Sequence, residues 1–455
     1  MRFTKIAALL FLAFIIVTCQ ESVSSKRTEN RKPANYSASD ATALREERGT
    51  LISAEFVRRV RTETIDNTYQ KRGFTALNDV YVYNITYISE DLTGEALILS
   101  GALYFPVGEQ SDYPMISVQH GTITSNANAP SQNHREGLLE ASQGFITVAA
   151  DYHGFGTSKE LVHPYLIEKA YQLSSLDALL AAGEFVVNRG YILDGLYLKG
   201  YSEGGYATLA LQKIIETQFN TAAKLEQLGL ELKASAPGAG PYQMGAVGLR
   251  LVAAEQVNSL YLTKVITAYK HWLPDIVTGG YSMMLSLTGF GKTNEAELKS
   301  LMEETLYSGE KNYFEILDSL PKAKTEVLSE DIIAAFGRAQ LSRLGEVVSA
   351  DEDETGLLTA LEANNLVKDW SPETPTRLYH CVSDEVVPFA ASISAKLAFD
   401  YWDDLDASTE NPQVKLVRIT DEEGETPYGH GLCPGVHEPI KWFQTLYGIS
   451  AEVQD

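Results

Sequence analysis

Two runs near the start of the chain, Val80 to Ile88 and Ala96 to Phe105, alternate apolar and polar positions. They are separated by Glu90-Asp91-Leu92-Thr93-Gly94. A period of two on either side of a glycine-bearing turn predicts an antiparallel hairpin. The pattern then changes. Met115 to Val118, Ile146 to Ala150, Leu196 to Leu198 and Leu232 to Ala236 are short and almost wholly apolar, as strands buried on both faces are. Leu138 to Ser142, Leu166 to Asn188 and Thr208 to Thr217 read as helices between them. This alternation predicts a mostly parallel sheet with helices on both faces. Upstream, Leu51 to Thr64 also reads as helix.

From Tyr242 to Trp370 the period is helical, over Val252 to Tyr269, Glu295 to Tyr307, Tyr313 to Leu317, Asp331 to Arg343 and Leu357 to Leu366. Asn294 with Glu297 gives the second of these stretches a capping-box-like start. Pro237-Gly238-Ala239-Gly240-Pro241 and Ser371-Pro372-Glu373-Thr374-Pro375 bracket the segment. Strand patterns return at Arg377 to Tyr379 and Val414 to Ile419, and an apolar helix runs from Ile440 to Tyr447. Asp351 to Glu362 places carboxylates or hydroxyls at positions 1, 3, 5, 9 and 12 of a calcium-type loop, with Gly356 at position 6. The flanking helix pair is not convincing, and an acidic helix start explains the same residues. Cys-x-x-Cys and His-Glu-x-x-His are absent, so no metal site is expected.

The start of the chain adds a location. Met1-Arg2-Phe3-Thr4-Lys5 is basic and Ile6 to Val17 is apolar but short for a bilayer span. The apolar run ends at Thr18-Cys19, which resembles a bacterial lipobox. The expectation is a signal peptide over 1–18 and a polar tether over 19–49, with Cys19 as a lipid anchor. The alternative is an ordinary secretory signal; either way the chain is exported, as a lipoprotein of the periplasm or outer membrane or as a secreted protein. Over 455 residues the net charge is −23, which argues against nucleic-acid partners. Hydrophobic residues at 44% suffice for a large core.

Gly200-Tyr201-Ser202-Glu203-Gly204-Gly205 lies between the strand Leu196 to Leu198 and a helix. Strand, Gly-x-Ser-x-Gly, helix is the setting of a nucleophile elbow, in which a strained turn lifts the serine hydroxyl clear of the sheet. Such chains carry their partners in the order serine, acid, histidine. Asp384 is the acid candidate, ahead of its neighbour Glu385, because it sits on the loop leaving Arg377 to Tyr379. His430, flanked by Gly429 and Gly431, is the base candidate, ahead of His437. One oxyanion donor would be the Glu203 amide. The other would be the Thr122 amide, with Gly121 as alternative, on the loop His120-Gly121-Thr122 after a buried strand. His120 itself reads as a packing residue.

Taken together these motifs resemble the α/β-hydrolases, and more narrowly the secretory-lipase branch of esterases and lipases. The matching pieces are Tyr83 to Tyr87, Ser100 to Pro106, His120-Gly121-Thr122, Asp151-Tyr152-His153-Gly154-Phe155-Gly156-Thr157-Ser158, the serine elbow, Tyr379-His380 to Val387-Pro388, and His430. The resemblance implies an α/β-hydrolase core over 50–241 and 371–455, with a helical cap over 242–370 inserted between the nucleophile and acid strands. It implies ester hydrolysis by Ser202, Asp384 and His430 on a small-molecule or lipid ester, with no cofactor. His380-Cys381 is a departure, since many relatives have a glycine near that strand end. If the fold follows the family, the acid and base loops leave neighbouring strands, and Cys381 and Cys433 would join them by a disulfide. Two free thiols in a packed core are the alternative. Two rival functions stay open at this point: an exported serine peptidase on the same scaffold, and a non-catalytic binding lipoprotein.

Overall fold

The computed structural model describes residues 48–69, 73–246, 258–343, 352–403, 411–420 and 427–448. The expected signal peptide, Cys19 and nearly all of the expected tether lie outside these residues. Arg48 is already anchored: its guanidinium donates to both oxygens of Asp177, at 3.1 and 3.2 Å, and to Glu90 at 3.3 Å. Burial raises Asp177 to about 6 despite that arginine and a hydrogen bond from Ser89.

The described strands are β1 (Leu51–Val60), β2 (Val80–Glu90), β3 (Ala96–Pro106), β4 (Asp112–Gln119), β5 (Ile146–Ala150), β6 (Ile192–Tyr201), β7 (Leu232–Gly238), β8 (Thr376–Cys381) and β9 (Val414–Ile419). They form one sheet in the order β1-β2-β3-β5-β4-β6-β7-β8-β9. The hairpin read from the sequence is present, with Val80 opposite Pro106 and Glu90 opposite Ala96. From β5 onward every neighbouring pair is parallel. That geometry positions the site. The loops after β4, β6, β8 and β9 all leave the same edge of the sheet, where residues far apart in sequence can meet.

The labelled helices are α1 (Thr62–Tyr69), α2 (Leu138–Ser142), α3 (Glu168–Val187), α4 (Glu203–Thr217), α5 (Phe219–Gln227), α6 (Ser259–Trp272), α7 (Glu295–Ser300), α8 (Tyr313–Ser319), α9 (Glu330–Arg343), α10 (Glu352–Ala363), α11 (Ala390–Asp403) and α12 (Glu438–Tyr447). Helices α6 to α10 fall between β7 and β8, in the stretch expected to form the cap. A wider π-helical turn over Leu301–Leu306 continues α7. One buried apolar cluster runs from the sheet through α3 and α4 into this segment, joining Leu198, Tyr206, Leu260, Ile332 and Leu361.

Two local expectations need correction or refinement, and a third holds. Leu51 to Thr64 is not helix: Leu51–Val60 is the edge strand, antiparallel to β2, and helix begins only at Thr62. Its apolar residues fit either period, and pairing with the long β2 decides the outcome. The expected capping box at Asn294 is half formed. Asn294 Oδ1 accepts from Glu297 N at 3.0 Å, but the Glu297 carboxylate turns to Thr293. A complete box instead opens α8, between Asn312 and Glu315. Finally, residues 352–363 of the calcium-like pattern form α10, so the segment is a helix with an acidic start. Among the described residues no group of side chains could hold a metal ion, and no helix is long and apolar enough to cross a membrane.

Candidate active site

Ser202 sits at φ 61° and ψ −123°, between the end of β6 and the start of α4. A non-glycine residue there is strained, and the tight turn is held on both sides. Ser202 N donates to Gly238 O at 2.9 Å, and Tyr206 N donates to Ser202 O at 3.1 Å. The flanking glycines are needed for close approach. A side chain at Gly204 would lie 2.0 Å from Gln119 O, and one at Gly200 would lie 2.3 Å from Gly204 O. The first turn of α4 is thereby pressed against the end of β4, beside the His120-Gly121-Thr122 loop.

That loop is built as a support. His120 is buried and stacks on Tyr152 at 4.0 Å between ring centres, the packing role read from the sequence. Thr122 Oγ1 is 2.9 Å from the Tyr165 hydroxyl.

Asp384, on the loop after β8, is surrounded by donors. Val386 N and Val387 N donate to Oδ1 at 2.9 and 2.8 Å. His430 Nδ1 donates to Oδ2 at 2.6 Å, and the Tyr201 hydroxyl reaches the same oxygen at 3.4 Å. His380 Nε2 lies 3.3 Å from Oδ2 while donating to Val387 O at 2.9 Å. Burial alone would raise the Asp384 pKa. The hydrogen bonds from His380, His430 and Val387 N outweigh it and hold the carboxyl well below the usual carboxylate range. The group is therefore ionised, and it fixes His430 with its proton on Nδ1. The other ring nitrogen, Nε2, is left to accept. Tyr201, the neighbour of Ser202, lies tilted against the His430 ring at 5.2 Å. No hydrogen bond joins Ser202 to His430 among the described residues; such links are often loose before substrate binds.

The rival residues have other places. Glu385 Oε2 accepts from the His430 backbone N–H at 2.9 Å, so it holds the loop and not the ring. His437 stands at the residue before α12 and packs edge-on against Tyr69 and Phe74. Cys381 and Cys433 form a disulfide with Cα atoms 5.8 Å apart, which ties the Asp384 loop to the His430 loop. It closes a separation of 52 residues. Reducing it is expected to lower stability by about 4 kcal/mol, read as a lower melting temperature in dithiothreitol. An unchanged melting temperature would show that the bridge does not form in solution.

Ser202 opens on an apolar cavity of about 80 Å³, walled on the core side by Tyr165, Val386 and Val387 and on the cap side by Tyr261, Val265 and Phe336. The Tyr281 to Leu287 stretch does not line this cavity; Tyr281, Met284 and Leu285 are buried in the apolar packing of the inserted helices.

Sequence reading missed the buried side chains beneath the elbow. Glu203 Oε1 accepts from His163 Nε2 and from the Tyr171 hydroxyl, both at 2.9 Å. Burial would raise its pKa, but His163 and Lys264 bring it down to about 2, from an ordinary 4.5. A carboxylate depressed in the fold stabilises the protein above its unfolded pKa, and that contribution is lost as pH falls from 4.5 towards 2. Glu203→Gln is expected to melt below wild type at pH 7, with the gap narrowing across that acidic window. A gap that stays constant with pH would contradict the ionised assignment.

No protein-family model matches the chain, and no curated protein matches it in sequence. Solved structures do match. A ligand-bound form of the rice cell wall degrading esterase LipA from Xanthomonas oryzae superposes with a TM-score of 0.70 at 24% identity, covering 88% of this chain and 98% of that one. A Legionella pneumophila protein solved as a candidate hydrolase gives 0.71 at 22% identity, covering 88% and 99%. Candida antarctica lipase A in its closed state gives 0.57 at 14% identity, covering 94% and 89%.

Proposed function

From the α/β-hydrolase fold that this chain shares with those proteins, we propose that it is a serine hydrolase of carboxylic esters, acting through Ser202, His430 and Asp384. The observation that carries the reading is the 2.6 Å bond from His430 Nδ1 to an ionised Asp384, beside a strained serine that faces an apolar cavity.

The chemistry follows from the roles. His430 Nε2 takes the Ser202 proton as Oγ bonds to the ester carbonyl carbon, and the carbonyl oxygen becomes an oxyanion. The Glu203 and Thr122 amides receive that charge, aided by the N-terminal end of α4. Asp384 steadies the imidazolium. The tetrahedral species collapses, the alcohol leaves with the proton from His430, and an acyl-Ser202 ester remains. Water then repeats the two steps and frees the acid. The substrate acyl group would lie in the apolar cavity under the cap, which keeps water from the reacting carbonyl.

Nitrophenyl esters assayed beside aminoacyl nitroanilides test the class. The reading expects turnover of the esters and far slower turnover of the amides. Preferential cleavage of the amides would replace it by a peptidase, and inertness towards both by a binding protein.

A further inference from the structure

Lys264 is a charged residue that the mechanism above does not use. It sits in the middle of α6, on the cap, within the apolar run Leu262-Thr263-Lys264-Val265-Ile266, and is only 3% exposed. Burying an ammonium is costly unless it is paired and hydrogen-bonded. Its partners explain where it went. Nζ donates to Ile123 O at 2.6 Å, one residue beyond Thr122. It also lies 4.6 Å from the centre of the Tyr165 ring, whose hydroxyl meets Thr122 Oγ1. The carboxylate whose field supports its charge is Glu203, the residue that follows Ser202. Glu203 Oε2 is buried with no hydrogen-bond partner among the described residues, so the hydrogen bonds to Oε1 are joined by the field of His163 and Lys264 in supporting the charge. The same helix is pinned to the core at two further points. The Tyr269 hydroxyl donates to Leu166 O at 2.8 Å and Trp272 Nε1 donates to Val162 O at 2.7 Å. A third tie to the cap comes from the loop itself, where Asn126 N donates to Gly309 O at 2.7 Å.

One cap side chain thus holds the carbonyl next to Thr122 and lies within the electrostatic reach of the Glu203 carboxylate. We infer that Lys264 is a positioning residue: docked from the cap, it fixes the Thr122-Ile123 loop against the Ser202-Glu203 turn, so the oxyanion hole is complete only while the cap is seated. The inference rests on the acyl-transfer reading above. It also makes the cap part of the catalytic geometry, since the cap then holds the loop and does more than shield the cavity. An apolar residue of similar length would fill the same space without holding the Ile123 carbonyl.

Lys264→Met tests this, with kcat expressed per active site titrated by a fluorophosphonate, so that unfolded protein is not counted. The expected result on a short-chain nitrophenyl ester is a fall in kcat on the order of 10- to 100-fold, with KM within about twofold. That loss is smaller than deleting a donor outright, because the amide remains and only its placement suffers. A purely structural lysine would leave kcat per titrated site unchanged and show only a lower yield of folded enzyme or a higher KM; that result overturns the inference. If Lys264→Met does not fold, the double variant with Glu203→Gln is read in its place. It leaves no buried carboxylate short of a cation, and it must still lose kcat. Wild-type protein separates the two levels of the account. If wild type labels at Ser202 and turns over while the variant keeps its kcat, only the positioning role fails. If wild type neither labels nor turns over, both fail.

Discussion

Ser202→Ala is expected to remove ester turnover, lowering kcat by about 10⁵- to 10⁶-fold, while the protein stays folded. The loss is large because Oγ is the atom that would bond to the acyl carbon, and no other hydroxyl in the elbow can replace it. The fold should survive because alanine keeps Cβ and occupies the same φ of 61° at the same strain. The backbone bonds from Ser202 N to Gly238 O and from Tyr206 N to Ser202 O do not involve the side chain. Circular dichroism and thermal melting would verify the fold, and a nitrophenyl ester would report the activity. Retained turnover would remove the nucleophile from this position.

Asp384→Asn is expected to cost about 10⁴-fold in kcat, the scale of loss when a triad carboxylate becomes an amide. In the wild type the carboxylate accepts from His430 Nδ1, so Nε2 is free to accept the serine proton. Val386 N and Val387 N hold Oδ1 at 2.9 and 2.8 Å, and these donors would keep the asparagine carbonyl oxygen in that position. The amide NH₂ would then face His430 Nδ1, which must become an acceptor. The imidazole proton moves to Nε2, and the base can no longer take a proton from Ser202. Glu385→Gln is the control. Its carboxylate accepts only from the His430 backbone among the described residues, and a glutamine oxygen can still do so. Its effect should stay below about tenfold. Equal losses at the two positions would contradict the assignment of the acid to Asp384.

The elbow was legible in the sequence because its requirements are local. Gly200 and Gly204 are fixed by carbonyl oxygens 2.3 and 2.0 Å from where their side chains would be. The placement of Asp384 and His430 at one sheet edge was legible through strand order, since parallel strands send their loops the same way. Other features depend on packing that periodicity does not encode. Leu51–Val60 could satisfy a helix or a strand, and only the partner β2 chose between them. His380 was noted as a departure from a glycine. Its ring in fact donates to Val387 O and lies 3.3 Å from the Asp384 carboxylate, supporting the acid. Lys264 left a usable signal, one cation inside an apolar helical run, yet the Ile123 carbonyl it holds lies 141 residues away and the Glu203 carboxylate whose field supports it lies 61 away. The same holds for His163, whose bond to Glu203 spans 40 residues.

A fluorophosphonate probe followed by peptide mapping measures the central claim most directly, because it reacts only with a serine that a neighbouring base has activated. The account predicts one modified residue, Ser202, with labelling abolished in Asp384→Asn and His430→Ala. Labelling elsewhere, or none on folded protein, would contradict it.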